Sequence, residues 1–270
     1  MRATHGHHFY HFDFMNNATG LFTRGRRYIR HLSRSLFPEA RVDRITSLAQ
    51  LKARIGRIQL PEEAGTIRGH LSPDEQRALY ALGALAGSPM LEIGAWLGLS
   101  TYCLAKGVFA SSTPKEFITC ELNPTLKNFR ELPDGRVAFY YPPESETTMG
   151  ICSRELFENE IKPVVSHPDG ILGQLRANLH RCGVDSLVQI ITGDFRSELP
   201  VRSFRFIFAD TMHEPSEIRR NAPDMRKYVT DGTILACHDT SPENRTEISR
   251  YFQFTESIQV DTLFIGVVKL

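Results

Sequence analysis

The chain has 270 residues, of which 41% are hydrophobic, so it is long enough for one sizeable α/β core with extensions. The formal net charge of +1 argues against a general attraction to nucleic acid or a membrane surface, and we interpret the arginine-rich first fifth as a solvated helix face. The five cysteines are widely spaced and form no C-x-x-C pair, which argues against disulfides and a zinc knuckle. The sequence has no signal-peptide core and no long apolar run, so we expect a cytoplasmic protein without a membrane segment.

Residues 1–69 show no alternation of strands and helices, and amphipathic stretches such as RITSLAQLKARI predict a helical N-terminal extension. A domain covering residues 70–270 follows and begins with a capped helix. Ser72 is its N-cap, Pro73 lies in the first turn, and Glu75 occupies the capping-box position. We expect the extension to pack against this domain or against a second copy in a homodimer.

Short β-rich runs then alternate with helical stretches, which is typical of a parallel sheet with helices on both faces. A last pair of strands closes the sheet. The predicted strands are Pro89–Gly94, Glu116–Glu121, Leu187–Thr192, Phe204–Asp210, Gly232–His238, Ser257–Val260 and Thr262–Lys269.

The connection between the second and third predicted strands is too long for a single crossover. We therefore expect residues 125–167 to carry short elements of their own and to lie near the site, as a lid or a specificity insert. The aromatic run Phe139, Tyr140 and Tyr141 fits the wall of such a site. The alternative is an added strand, VAFYY, whose aromatic side chains pack internally.

The stretch MLEIGAWLGLS places a glycine-rich turn after the first predicted strand. Ligands of open α/β sheets bind at the carboxyl ends of strands, and Gly94 and Gly98 let the backbone approach a ligand there. Glu121 ends the next strand, where an acid can hold both hydroxyls of a ribose. Glu92 is costly to bury unless it meets donors, which a ligand ammonium with backbone amides would supply. A buried arginine or a water molecule is the structural alternative for Glu92.

Four polar side chains follow two further predicted strands. Asp210 ends one strand, with His213 three residues later, and His238 and Asp239 end its neighbour. We expect them to converge at the sheet edge that carries the glycine turn. For the histidines, structural alternatives stay open, since His213 could cap the next helix and His238 could be a satisfied core residue.

The segments LEIGAWLGLSTYCLA and TCELNP resemble the class I S-adenosylmethionine-dependent methyltransferases, within them the branch of catechol O-methyltransferase and the macrolide-sugar O-methyltransferases. Together with the strand pattern, this resemblance predicts an α/β fold. We expect a Rossmann-like, doubly wound sheet of seven mostly parallel strands, with an antiparallel last strand. The resemblance implies S-adenosylmethionine as cofactor and a hydroxyl of a small molecule, such as a secondary metabolite, as acceptor. The cofactor-binding residues that it implies are Glu92, Gly94, Ala95, Trp96, Ser100, Glu121, Asp194 and Phe195.

The same resemblance implies that Asp210, His238 and Asp239 hold a divalent metal, commonly Mg²⁺, that binds the acceptor oxygens and lowers their pKa. His238 departs from the usual ligand set, because an imidazole suits zinc, nickel or iron better than magnesium. His213 falls where family members carry a lysine or histidine general base. His213 and Asp210 are therefore the predicted catalytic residues.

The same residues also fit other activities in part. Asp210, His213 and His238 also fit the two-histidine, one-carboxylate triad of a non-haem metal oxygenase or hydrolase, which would leave Glu121 and Ser100 without a role. An N-methyltransferase on the same fold is a further alternative. The glycine spacing disfavours a nicotinamide-dependent oxidoreductase, and the catalytic half shows no basic groove for nucleic acid.

Overall fold

The computed structural model of the protein describes residues 46–60, 62–111 and 113–270. The arginine-rich stretch and most of the predicted helical extension lie outside the described residues. The described part of the extension, within residues 46–69, contains one short α-helix followed by two 3-10 helices, Ile55–Arg57 and Glu62–Thr66.

The elements of the described residues alternate along the chain as the hydrophobic pattern predicts. The α-helices are α1 (Leu48–Arg54), α2 (Pro73–Leu85), α3 (Leu99–Ala110), α4 (Arg154–Leu156), α5 (Lys162–Val165), α6 (Gly170–Arg181), α7 (Phe195–Glu198), α8 (Pro215–Met225) and α9 (Pro242–Ile248). The strands are β1 (Met90–Ile93), β2 (Phe117–Glu121), β3 (Phe129–Glu131), β4 (Val137–Tyr140), β5 (Thr148–Cys152), β6 (Gln189–Thr192), β7 (Phe206–Ala209), β8 (Ile234–Cys237), β9 (Gln253–Val260) and β10 (Leu263–Lys269). The π-helix Phe157–Ile161 joins α4 to α5. Further 3-10 turns are Leu126–Asn128, Asp185–Leu187 and Arg226–Tyr228.

The main sheet has seven strands in the order β6-β2-β1-β7-β8-β10-β9. The first five of these pair in parallel, and β10 runs antiparallel to both β8 and β9. The predicted Rossmann-like, mostly parallel sheet with an antiparallel last strand is therefore confirmed. Strand β9 begins earlier than predicted, at Gln253, and its residues alternate in exposure as expected of an edge strand.

Both faces of the sheet are covered by apolar packing. Along β7, Phe206 and Phe208 belong to a core cluster shared with α2, α3 and α6, whereas Ile207 and Ala209 belong to a cluster shared with α8. This alternation reflects the period of two of a strand buried on both sides. The carboxyl ends of β2, β1, β7 and β8 consequently lie side by side at one edge of the sheet.

Residues 125–167 have a fold of their own, a three-stranded antiparallel sheet in the order β3-β4-β5 followed by a helical segment. The ring of Phe129 stacks on Phe139 at 5.2 Å and lies 5.1 Å from that of Phe157, which joins the small sheet to the π-helix. The segment VAFYY contributes a strand, as the alternative interpretation predicts. We call residues 125–167 the insert below.

The five cysteines are free thiols. Among the helices of the described residues, none is both long and apolar enough to span a membrane.

Candidate active site

A cavity of about 570 Å³ lies along the carboxyl edge of the main sheet and is bordered by the insert. Glu92 is fully buried and does not line this cavity, but the other predicted site residues do. The predicted residues that line it are Gly94, Ala95, Trp96, Ser100, Glu121, Asp194, Phe195, Asp210, His213, His238 and Asp239.

The glycine turn brings the ends of β1 and β7 together. Gly94 has a φ of +87°, and a Cβ atom on it would lie 2.7 Å from the carbonyl oxygen of Asp210. Only glycine fits such a close approach at a left-handed φ. Trp96 and Gly98 also have positive φ angles, so the turn is sharp and leads directly into α3. Backbone amides and Ser100 at the start of α3 therefore lie beside the cavity.

Glu121 holds the glycine turn. Its Oε2 accepts hydrogen bonds from the amides of Ala95 at 2.9 Å and Trp96 at 2.8 Å, and its Oε1 accepts a longer one from Asn123 at 3.3 Å. Burial raises the pKa of Glu121, while the bonds from Trp96 and Ala95 oppose that rise. Because Oε2 accepts the two short bonds and the Asn123 contact of Oε1 is long, Oε1 keeps acceptor capacity for a ligand in the cavity.

Glu92 lies beneath the turn. Its Oε2 accepts a hydrogen bond from the Thr101 hydroxyl at 2.6 Å, which ties β1 to α3. Its Oε1 is buried and has no hydrogen-bond partner in the part of the chain that is described. Burial raises the pKa of Glu92 to about 7, while the nearby hydroxyl groups of Ser100, Thr101 and Thr119 oppose that rise.

Asp194 and Phe195 form the end of the cavity next to β6. Asp194 caps α7 by accepting from the Arg196 amide at 3.0 Å, and both of its oxygens pair with the Arg196 side chain. Although burial acts in the opposite direction, these contacts lower the pKa of Asp194. Phe195 is buried, its ring centre lies 6.2 Å from that of Tyr228, and it also lines the cavity.

The four strand-end side chains converge in a network of acids and imidazoles. Oδ1 of Asp210 lies 3.0 Å from Nε2 of His213 and 3.0 Å from Nδ1 of His238. On its other side, Nδ1 of His213 lies 3.0 Å from Oε2 of Glu217, which also accepts from the His213 amide at 2.9 Å. Nε2 of His238 faces Oε2 of Glu75 at 3.5 Å. Each histidine is therefore placed between two carboxylates.

This placement sets the protonation states. Burial would lower the pKa of His238, but Asp210 and Glu75 raise it to about 10. Burial acts on His213 in the same way, and Asp210 and Glu217 raise its pKa well above 6.5. The two histidines in turn lower the pKa of Asp210 against the effect of its burial. The neighbouring carboxylates therefore favour the protonated, positively charged form of both rings.

Sequence reasoning missed two members of this network. Glu75 was assigned only to the capping box, which it forms with the Ser72 amide at 2.8 Å, yet its other oxygen accepts from the Thr262 amide at 2.9 Å. Its contact with His238 joins residues far apart in the chain, for which the sequence carries no signal. Glu217 lies in the first turn of α8, where acids are favoured and can accept from the backbone before the helix, and this position is a signal that could have found it.

The predicted metal ligands are not grouped as a three-residue site. Asp239 is half-exposed, with a φ of +52°, and its Oδ1 lies 3.6 Å from Nε2 of His238 and 3.4 Å from the Thr262 hydroxyl. Within residues 46–60, 62–111 and 113–270, no three His, Cys, Asp or Glu side chains are arranged to hold a metal ion. Because both nitrogens of His238 face carboxylates, this arrangement does not fit the predicted ligand set.

The sheet order, the glycine turn and the acid at the end of β2 together define a Rossmann-like protein with a cavity at the carboxyl edge of its sheet. The chain belongs to a family described as a methyltransferase domain, whose family model matches residues 91–240, more than half of the sequence. The resemblance to methyltransferases is thereby confirmed. No curated protein matches the sequence.

The chain is also similar to solved structures at low identity. An O-methyltransferase from Bacillus cereus in complex with SAH is 19% identical, with 93% of this chain and 99% of that chain covered and a TM-score of 0.41. TomG from Streptomyces achromogenes, an O-methyltransferase involved in tomaymycin synthesis and bound to SAM, is 16% identical, with 90% and 96% covered and a TM-score of 0.44. An RNA methyltransferase from Salinibacter ruber in complex with S-adenosyl-L-homocysteine is 12% identical, with 74% and 91% covered and a TM-score of 0.43.

Proposed function

We propose that this protein transfers the methyl group of S-adenosylmethionine to a hydroxyl group of a small molecule. The observation that carries this proposal is that one cavity contains both a glycine turn held by Glu121 and a polar edge made by Asp210 and His213. Membership of a methyltransferase family supports the reaction type. A secondary-metabolite acceptor, a cytoplasmic location, a homodimer and the absence of nucleic-acid binding stay predictions.

The residues present fit such a cofactor. Amides at the start of α3, with Ser100, would hold the methionine carboxylate, and Oε1 of Glu121 has acceptor capacity for the ribose hydroxyls. Asp194 and Phe195 would border the adenine. We assign Glu92 a supporting role beneath the methionine amino group, since its buried Oε1 lacks a partner among the described residues. When bound, S-adenosylmethionine supplies a methyl group on a positively charged sulfur, which leaves as a neutral thioether.

The chain's own contribution to the chemistry is to take the acceptor proton and to orient the acceptor oxygen. His213 faces the cavity with 42% of its side chain exposed, and Asp210 and Glu217 fix its ring from both nitrogens. As an imidazolium it has no lone pair, so it must lose a proton before it can act as a base. A base held in this way matches an acceptor hydroxyl of high pKa better than a free imidazole would.

The proposed methyl transfer does not depend on the predicted Mg²⁺. Asp210, His238 and Asp239 do not fit a three-ligand site as they are arranged, so we derive no step through a metal. The oxygenase or hydrolase alternative needs two histidines and one carboxylate turned toward one metal, whereas here both histidines face the same Asp210 oxygen. Methyl transfer to nitrogen would use the same cofactor site and is distinguished by the acceptor alone.

Isothermal titration calorimetry with S-adenosylmethionine and S-adenosylhomocysteine, with and without chelator and added Mg²⁺, tests the proposal. We expect both nucleosides to bind. Glu121→Gln should weaken S-adenosylhomocysteine binding by at least about tenfold, because the variant loses a charge-assisted acceptor. Glu243→Ala, on the exposed start of α9, is the matched control and should bind like the wild type. A wild-type protein that binds neither nucleoside contradicts the proposal.

A further inference from the structure

Strand β5 of the insert forms one wall of the cavity. Met149, Gly150, Ile151 and Cys152 all line it, and Ile151 is 45% exposed. Among the described strands, β5 pairs with β4 alone, so in this part of the chain its other edge has no strand partner. An edge strand leaves a row of unpaired carbonyl groups that need other donors.

Arg220 on α8 supplies those donors. Its Nη2 donates to the Met149 carbonyl at 2.6 Å, and its Nη1 contacts the Thr148 carbonyl at 3.3 Å. The Arg220 side chain is 23% exposed and itself lines the cavity. One guanidinium therefore fastens the free edge of the insert to a helix of the main domain.

Glu217, one turn earlier on α8, contacts both strand β5 and His213. Its Oε1 lies 3.9 Å from Nη2 of Arg220, and a Cβ atom on Gly150 would lie 3.4 Å from the same oxygen. Its Oε2 holds the amide and the ring of His213. The two oxygens of one carboxylate thus face β5 on one side and His213 on the other.

We propose that Arg220 is a positioning residue that couples the β5 wall of the cavity to His213 through Glu217. The assignment of β5 as an acceptor wall rests on the proposed function. An acceptor in contact with Met149 and Ile151 would then also fix the orientation of the His213 ring, through Arg220 and Glu217. Acceptors too small to reach this wall should lose turnover as well as affinity, because contacts remote from the reacting atoms orient the base.

The test compares Arg220→Gln with Arg219→Gln, its neighbour on α8. The side chain of Arg219 is 54% exposed, and its Nη1 lies 3.5 Å from Oε2 of Glu247 on α9. In the full chain at one neutral pH, ¹⁵N–¹H spectra report the His213 ring and amide, and hydrogen exchange reports the amides of residues 148–152. We expect Arg220→Gln to shift the His213 signals and to speed exchange in β5 roughly fivefold or more, and Arg219→Gln to change neither.

A reciprocal variant separates coupling from simple support of the insert. If the coupling holds, Glu217→Gln changes the exchange of β5 amides, and Arg220→Lys partly restores the His213 signals. Faster exchange in β5 with unchanged His213 signals would show that Arg220 only supports the insert, and would overturn the proposal. S-adenosylhomocysteine binding is measured on the same samples and tests the proposed function independently. Loss of the coupling would leave this binding intact, whereas a wild-type protein that does not bind would contradict the proposed function alone.

Discussion

His238 lies between Asp210 and Glu75 with 4% of its side chain exposed, and this is where single residues matter most. A buried cation between two carboxylates is stable only while all three groups are present. Removal of one partner leaves uncompensated buried charge, which costs several kcal/mol. Glu75 connects this triad to α2 and to Thr262, so it joins the first helix of the domain to the last strands.

His238→Ala should therefore lower the free energy of unfolding by about 3 kcal/mol at neutral pH. The stabilisation that protonated His238 contributes is fully present below its ordinary pKa of 6.5 and is lost as pH rises through about 10. The difference in the free energy of unfolding between His238→Ala and the wild type should therefore become smaller as pH rises from 6.5 to 10. Urea unfolding at several pH values measures it. His180→Ala, with a ring 82% exposed, is the control and should stay within about 0.5 kcal/mol of wild type. Equal losses for both variants would contradict the buried triad.

The protonation of His213 gives a second prediction at this scale. Asp210 and Glu217 stabilise the imidazolium, so the ring should titrate above 6.5 in the free protein, and Glu217→Gln should lower its pKa by removing one of the two charges. Titration followed through the His213 ring carbon signals by NMR measures both values. A His213 pKa at or below 6.5 in the wild type would show that the acid contacts are not maintained in solution.

At the scale of elements, the turn between β1 and α3 forms one side of the cavity that we propose as the cofactor site. Its shape depends on the contact between Gly94 and the Asp210 backbone and on the Glu121 bonds to its amides. Glu121 thus does two things that the sequence suggested only in part. It stands where a ribose acid is expected, and it also fixes the turn in front of it.

Gly94→Ala and Gly135→Ala separate backbone strain from steric contact. Both glycines have a φ near +85°, at +87° and +82°, but a Cβ on Gly135 would meet nothing within 4 Å. Gly135→Ala should cost about 1–2 kcal/mol and leave S-adenosylhomocysteine binding unchanged. Gly94→Ala should cost more and reduce binding at least about tenfold, because the ends of β1 and β7 must separate. Thermal unfolding and calorimetry measure both effects, and indistinguishable variants would contradict the close approach.

At the scale of the whole molecule, the cavity is completed by segments distant in sequence. The glycine turn, the ends of β2, β7 and β8, and the insert each contribute one side. A ligand that bridges these segments stabilises the folded chain over the unfolded one by mass action.

S-adenosylhomocysteine at a hundred times its dissociation constant should therefore stabilise the protein by about 2.7 kcal/mol. Mg²⁺ alone should leave the melting temperature unchanged, because Asp210 and His238 are bonded to each other and the described residues hold no three-ligand group. Differential scanning fluorimetry with each addition, and with a chelator as control, gives the comparison. A melting temperature raised by Mg²⁺ and restored by chelator would show that the predicted ligands rearrange to bind a metal.

Much of the fold could be predicted because its signals are local. The apolar runs of β1, β2, β7 and β8, the capping box at Ser72 and the glycine turn each depend on residues within a few positions of one another. The edge on which Asp210, His213, His238 and Asp239 meet also followed from strand order alone, because parallel strands end at the same side of a sheet. The strands of the insert were harder to assign, since VAFYY fits a wall and a strand equally well, and Phe139 in fact serves both.

The sequence by itself determined the order of strands and helices, the glycine turn and the types of side chain at the site. Only the tertiary structure decided how those side chains are bonded. It placed Glu75 against His238, turned both histidines toward one oxygen of Asp210, and set Arg220 against the edge of β5. The physical reason is that periodicity and capping act within a few residues, whereas the charge state of a buried group depends on whichever distant side chains the fold brings within hydrogen-bond reach.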